Sequence, residues 1–332
     1  MKAIRTHETG GPETLKLDEI DVPSPGKGEV LVDVRACAIN YPDTLMIRDL
    51  YQFKPERPYS PGGEIAGRIE AVGEGVEGFE VGDTVMAGIG SGGLREKAIV
   101  PANRMFKVPE GIPYEKAASL LMTYGTTIHG LKDRGHIKEG DTVLILGAAG
   151  GVGLSAVELA KAFGARVVAA VSSEEKGEVA RKAGADDVVI YPREEMDKDA
   201  SKALSQKFKD ACGPDGANIV YDIVGGQYSE PALRAIAWEG RFLVVGFPAG
   251  IAKMPLNLTL LKSCDICGVF WGAFTAREPK KFHDQVNELF DLMKAGKIDP
   301  MVSETFPLER AGDAIAKLED RKAVGKLVVT MD

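Results

Sequence analysis

The chain has 332 residues, 44% hydrophobic and 27% charged, the balance of a globular protein long enough to bury two cores. With 41 Lys and Arg against 49 Asp and Glu, its net charge of −8 argues against nucleic acid or an anionic membrane surface as a partner. No apolar run approaches the ~18 residues of a membrane span, Met1-Lys2-Ala3-Ile4-Arg5 lacks an apolar signal core, and four cysteines do not make a disulfide framework in a chain this long, so a cytoplasmic protein is expected.

Residues 1–124 read as β-rich. Apolar alternation over 28–38 predicts a strand, and shorter strands are expected at 64–72, 84–87 and 97–101 between glycine turns. Prolines at 23, 25, 58, 61, 101, 109 and 113 punctuate them. Short strands at this spacing predict a partly open barrel. Asn40-Tyr41-Pro42-Asp43 has the chemistry of a helix start, with Asn40 as cap, Pro42 in the first turn and Asp43 closing a capping-box pair.

From about 125 to 262 the pattern changes to alternating strands and helices. Strands are expected near 142–147, 166–171, 187–191, 218–223 and 241–246, with helices such as 174–184 and 229–238 between them. That alternation predicts an α/β, doubly wound parallel sheet. The first strand runs into Gly147-Ala148-Ala149-Gly150-Gly151-Val152-Gly153, and a helical pattern follows from Leu154. Glycine lets the backbone turn sharply and approach a pyrophosphate, while the helix start aims free N–H groups at the anion. Gly147, Ala149, Gly150, Gly151, Val152 and Gly153 are therefore candidate dinucleotide contacts.

The second strand ends in Ser172-Ser173, where a fold that prefers NAD usually places a carboxylate for the ribose 2′-hydroxyl. Ser172, Lys176 one helical turn on, and Tyr191 at the end of the third strand could converge on a 2′-phosphate, so NADPH is favoured. Glu174 and Glu175 are expected to face solvent. The last segment carries a strand near 264–270, helices near 279–295 and 309–319, and a closing strand at 326–330. It is expected to return to the first domain, giving domains of 1–124 with 263–332, and 125–262, with the cofactor in the cleft between them.

On these residues the chain resembles the medium-chain dehydrogenase/reductase superfamily, nearest to its zinc-independent quinone oxidoreductase branch. His7-Glu8-Thr9-Gly10-Gly11-Pro12-Glu13 and Gly140-Asp141-Thr142-Val143-Leu144, running into the glycine turn, carry the likeness. It implies a Rossmann domain flanked by a split GroES-like catalytic domain, and a homodimer paired through the edge strand near 264–270. The branch usually carries Gln where Glu158 stands. Zinc-dependent relatives have a cysteine at the position of Asn40 and a histidine at that of Gly63, and neither residue here supplies a zinc ligand. Cys264 and Cys267 have metal-like spacing but no second pair. No metal is expected.

Without zinc, hydride transfer from NADPH to a quinone or an α,β-unsaturated carbonyl is the activity implied. The Asn40–Asp43 element stands beside the nicotinamide in the superfamily, and both residues are candidate catalytic groups. Tyr51 matches the proton-donating tyrosine of related enoyl-thioester reductases, although the glycine usual two residues earlier is Asp49 here. Thr123, Thr127, Phe247, Trp271 and Lys326 complete the cofactor side by resemblance. The alternatives are an enoyl-thioester reductase that uses Tyr51, and an NADPH-binding protein with little catalysis.

Overall fold

The computed structural model describes residues 1–331, which fall into two compact units. Met1–Met122 and the segment from Pro300 onward form the first, and Thr123–Asp299 the second. The first begins with an antiparallel ribbon of β1 (Lys2–Thr6) and β2 (Leu15–Glu19). Then come β3 (Glu29–Ala38), β4 (Glu64–Val72), β5 (Thr84–Gly88), β6 (Lys97–Pro101) and β7 (Met105–Lys107). β3 is the spine, antiparallel to β4 over Val30–Ala38 and to β6 over Glu29–Asp33. Val30, Val32 and Val34 point from it into a core shared with Ile65, Ile69 and Val100. β-Branched residues at period two are what a half-buried strand requires.

The second unit is a parallel sheet of β8 (Thr142–Leu146), β9 (Arg166–Val171), β10 (Asp187–Ile190), β11 (Ala217–Asp222), β12 (Ile236–Val244) and β13 (Asp265–Gly268). Its order is β10-β9-β8-β11-β12-β13. Val143–Leu146 and Val167–Val171 are unbroken apolar runs because these strands are covered on both faces. The chain steps outward from β8 to β10, then returns to β11 on the other side of β8. That reversal is a topological switch point, and ligands of doubly wound sheets bind there, beyond the carboxyl ends of the strands. β14 (Val302–Pro307) and β15 (Lys326–Thr330) then rejoin the first unit, β15 pairing antiparallel with β3.

Two expectations are corrected. The return to the first unit falls at 300, not 263, because β13 pairs in parallel with β12 and so extends the second unit's sheet. The helix expected over 229–238 stops at Leu233, and β12 starts at Ile236, earlier than 241. Glu239 takes a left-handed φ of 56°, and the β11–β12 register slips between Ile236 and Arg241. This bulge lets the strand begin early and leaves Trp238 exposed.

Candidate active site

In the first unit Asn40 and Asp43, two of the candidate catalytic residues, stand in a buried polar network. Asn40 precedes the short helix Tyr41–Met46, and Asp43 reaches back to accept the Asn40 backbone N–H at 2.8 Å. The other Asp43 oxygen accepts the Gly62 N–H at 3.0 Å. The Asn40 side chain is committed at both ends. Its oxygen accepts from Lys326 Nζ at 2.6 Å, and its amide donates to Glu64 Oε2 at 3.1 Å and to the Ala38 carbonyl at 3.3 Å. Lys326 also donates to the Ile39 carbonyl at 3.0 Å and lies 3.7 Å from Glu64. Glu64 takes the Met122 N–H on its second oxygen at 2.9 Å.

Burial governs the charges here. It pushes the Asp43 carboxyl up to about 6, against the pull of its two backbone hydrogen bonds. It raises Glu64 and lowers Lys326, each partly restored by the other's charge. The Cys37 thiol beside them is pushed well up, so it stays protonated.

Tyr51 is half-buried, and desolvation, with the Asp43 charge, raises its phenol. Asp49 has φ 57°, the left-handed conformation that a glycine would adopt freely. Thr9 Oγ1 at 2.6 Å and Arg57 hold its carboxylate there, so the loop keeps a glycine-type turn without the glycine. Arg48 forms a two-pronged pair with Glu319 at 2.7 and 3.0 Å.

In the second unit, Gly147 ends β8 with φ 74°, and Gly150 precedes the helix Gly151–Ala162. No side chain caps that helix, and its first turn has no acidic residue, so its positive end is not offset locally. A Cβ on Gly153 would meet the Gly147 carbonyl oxygen at 2.2 Å, whereas one on Gly150 would meet only that oxygen, at 3.7 Å. Gly153 thus sets close packing of helix on turn, while the space above Gly150 stays open. Opposite, the buried Asp222 at the end of β11 accepts the Val224 and Gly225 N–H groups at 2.9 and 2.8 Å and fixes the next loop.

At the end of β9, Arg193 donates to Ser172 Oγ at 3.2 Å. Lys176 is half-buried; desolvation first, then the Arg193 charge, lowers its ammonium. Glu174 and Glu175 are exposed. Tyr191 is buried, its ring 4.6 Å from that of Tyr228. Ser172, Tyr191, Arg193 and Lys207 line part of a cleft of ≈ 460 Å³.

Thr127 is fully buried between Ser155 Oγ at 2.7 Å and the Tyr221 hydroxyl at 3.1 Å. Thr123 is buried, and its carbonyl accepts from Ser155 at 3.2 Å. Phe247, just beyond β12, is exposed. Trp271 starts the helix Trp271–Arg277 and meets Phe282 edge-on at 5.6 Å. Its buried indole N–H has no protein acceptor, and it lies so close to Gly125 that a Cβ there would come within 2.8 Å of Nε1. Sequence reasoning missed Glu64, Arg193 and Asp222 as parts of these clusters.

Residues 26–110 match the family model described as alcohol dehydrogenase GroES-like domain, and 151–293 match zinc-binding dehydrogenase. The chain is 34% identical to the quinone oxidoreductase-like protein 2 homolog of Nematostella vectensis, over 99% of this chain and 88% of that protein. It is 31% identical to human quinone oxidoreductase, over 100% and 98% of the two chains. The chain belongs to the quinone oxidoreductase branch of the medium-chain dehydrogenase/reductase superfamily. This quinone oxidoreductase-like enzyme also resembles the crystal structure of Escherichia coli quinone oxidoreductase complexed with NADPH, with a TM-score of 0.90 and 29% identity, over 99% and 100% of the chains.

The zinc in the family model's description does not fit these residues. The Asn40 oxygen is taken by the Lys326 ammonium. At Gly63 a Cβ would meet the Gly90 carbonyl oxygen at 2.9 Å, which leaves no place for a histidine. Among the described residues no group of three or more His, Cys, Asp or Glu could hold a metal ion, and no helix is long and apolar enough to cross a membrane.

Proposed function

We propose that this enzyme transfers hydride from NADPH to a quinone or to the electron-poor carbon of an α,β-unsaturated carbonyl, without a metal. One observation carries the reading: the same sheet presents an uncapped helix start after β8 and a strand end after β9 that gathers Ser172, Lys176 and Arg193. The first suits a pyrophosphate and the second a 2′-phosphate, whereas NAD would call for a carboxylate at the end of β9. The NADPH complex of the Escherichia coli relative supports the same cofactor. The N–H groups from Gly150 to Gly153 would hold the pyrophosphate. Ser172, Lys176 and Arg193 would hold the 2′-phosphate, with Tyr191 beside them. Thr123, Phe247 and Trp271 would flank the nicotinamide, and the orphan indole N–H of Trp271 is a donor suited to it. Thr127, buried in the same unit, would support that wall from behind, and Lys326 remains a cofactor-side candidate by resemblance.

Bound NADPH supplies the hydride. The chain must orient the acceptor, exclude water and stabilise the charge that develops on the acceptor's oxygen. The raised phenol of Tyr51 keeps its proton at neutral pH, so it can donate to an enolate. The hydroquinone monoanion that hydride transfer leaves on a quinone can take its one remaining proton from water. The glycine-type turn at Asp49 favours the second reading, an enoyl-thioester reductase with Tyr51 as acid. We further propose a homodimer built on the edge strand β13, beside which Leu256, Leu260, Leu261, Ile266 and Phe270 are exposed, and a reducing, cytoplasmic location for its four buried, free cysteines.

The test is loss of NADPH on mixing with quinones, enones and enoyl thioesters. Turnover with one of these classes is expected. Saturable NADPH binding without turnover of any acceptor would favour a binding protein and overturn the enzymatic reading.

A further inference from the structure

The helix whose start faces the proposed pyrophosphate site also carries Ser155 and Glu158, which share a face one turn apart. Each holds a segment where the chain passes between the two units. Those passages lie at Met122–Thr123 and Asp299–Pro300. Ser155 Oγ lies 3.2 Å from the Thr123 carbonyl and 2.7 Å from Thr127 Oγ1. One oxygen of Glu158, Oε2, accepts both the Tyr124 hydroxyl at 2.6 Å and the Asp299 backbone N–H at 3.0 Å. The two donors are separated by almost the whole second unit in sequence, yet they converge on one atom. Tyr124 is buried, and desolvation and the Glu158 charge push its phenol well up, so it remains a donor.

A carboxylate oxygen suits this task. It accepts two hydrogen bonds at once, and bonds to a charged acceptor are the stronger kind. The Asp299 carboxylate adds negative charge near Tyr124, which further disfavours loss of the phenol proton. Nothing in the phosphate turn itself needs an acid two turns down the helix.

We propose that Glu158 is a positioning residue that clasps both linkers to the phosphate-binding helix, so that cofactor docking at Gly150–Gly153 stiffens the two passages together. The inference rests on the NADPH reading above. Glu158 touches no reacting atom in this role; it transmits order from the helix to the linkers. Ligand binding that orders a helix lowers the opening of whatever is bonded to it.

The test is hydrogen–deuterium exchange of the full-length protein with and without NADPH, alongside NADPH affinity and kcat. In the wild type, NADPH slows exchange at 123–126 and at 297–300 by about tenfold, the worth of one hydrogen bond to a charged group. In Glu158→Ala that protection falls below about twofold in both segments, kcat drops, and NADPH affinity stays within about threefold of wild type. Glu158→Gln, whose amide oxygen can accept both donors, restores protection and kcat. Tyr124→Phe removes one donor alone and weakens protection at 123–126 more than at 297–300, which keeps the test open should the alanine variant not fold. Wild-type-like protection in folded Glu158→Ala, or equal loss of affinity and protection in Ala and Gln variants, overturns the proposal. Failure of the wild type to bind NADPH overturns the cofactor reading instead, and the clasp with it.

Discussion

Lys326 sets its ammonium 2.6 Å from the side-chain oxygen of Asn40, 286 residues earlier in the chain. The same ammonium is 3.7 Å from Glu64, and both charged side chains are at most 5% exposed. Removing one partner leaves the other charge buried and uncompensated, which typically costs about 3–5 kcal/mol. Lys326→Met should therefore lower the unfolding free energy by about that much in a urea titration. Adding Glu64→Gln should recover part of the loss, because the orphaned carboxylate goes with it. A double variant no more stable than Lys326→Met would argue that the two charges do not compensate each other.

Asp43 gives this network a pH signature. Its folded pKa is pushed up to about 6 from an ordinary value of 3.8, so the folded state holds this proton more tightly than the unfolded chain does. The proton's contribution to stability is complete below about pH 4 and is lost as the pH rises through about 6. Relative to Asp43→Asn, the wild type should gain up to about 3 kcal/mol between pH 7 and pH 4. The comparison cancels the other carboxylates. A constant difference between the two proteins across that range would contradict the raised pKa.

How much of this was legible in the sequence depends on the range of the interaction. β3, β8 and β9 could be read directly, since period-two valines or unbroken apolar runs are local signals. β14 could not: in Val-Ser-Glu-Thr-Phe-Pro only Phe306 is buried. The helix Lys198–Cys212 hides its stripe of Leu204, Phe208 and Cys212 among charged residues. A strand near 265 does not say which sheet it joins; its pairing with β12 decides that, and with it the domain boundary. Asn40 and Asp43 were visible as a capping pair three residues apart. Glu64 was not, because its partners Asn40 and Met122 lie 24 and 58 residues away. Arg193 reaches Ser172 across 21 residues of a parallel crossover, and no local spacing encodes that contact.

Tyr51→Phe separates the two acceptor classes. If the phenol protonates an enolate, rates with enones or enoyl thioesters should fall by roughly 10²–10⁴-fold, the usual worth of a positioned acid. Rates with a quinone should change by less than about threefold, since water can protonate its reduced oxygens. Steady-state kinetics with one acceptor of each class decides this. An equal loss with both acceptors would assign Tyr51 to shaping the pocket rather than to proton transfer.

Arg193→Ala should raise the KM for NADPH by about ten- to a hundredfold, the range for one hydrogen bond to a charged group. The KM for NADH should be nearly unchanged, because NADH lacks the 2′-phosphate. Lys176→Ala should act in the same direction. Parallel losses with NADPH and NADH would place both cations elsewhere in the chemistry.

The proposed function requires a nicotinamide cofactor with a 2′-phosphate, seated against the turn from Gly147 to Gly153. The most direct measurement is titration of the wild-type protein with NADPH and with NADH, followed by fluorescence or calorimetry. Saturable binding of NADPH, at least about tenfold tighter than that of NADH, is expected. Equal or tighter binding of NADH, or no saturable binding of either, would contradict it.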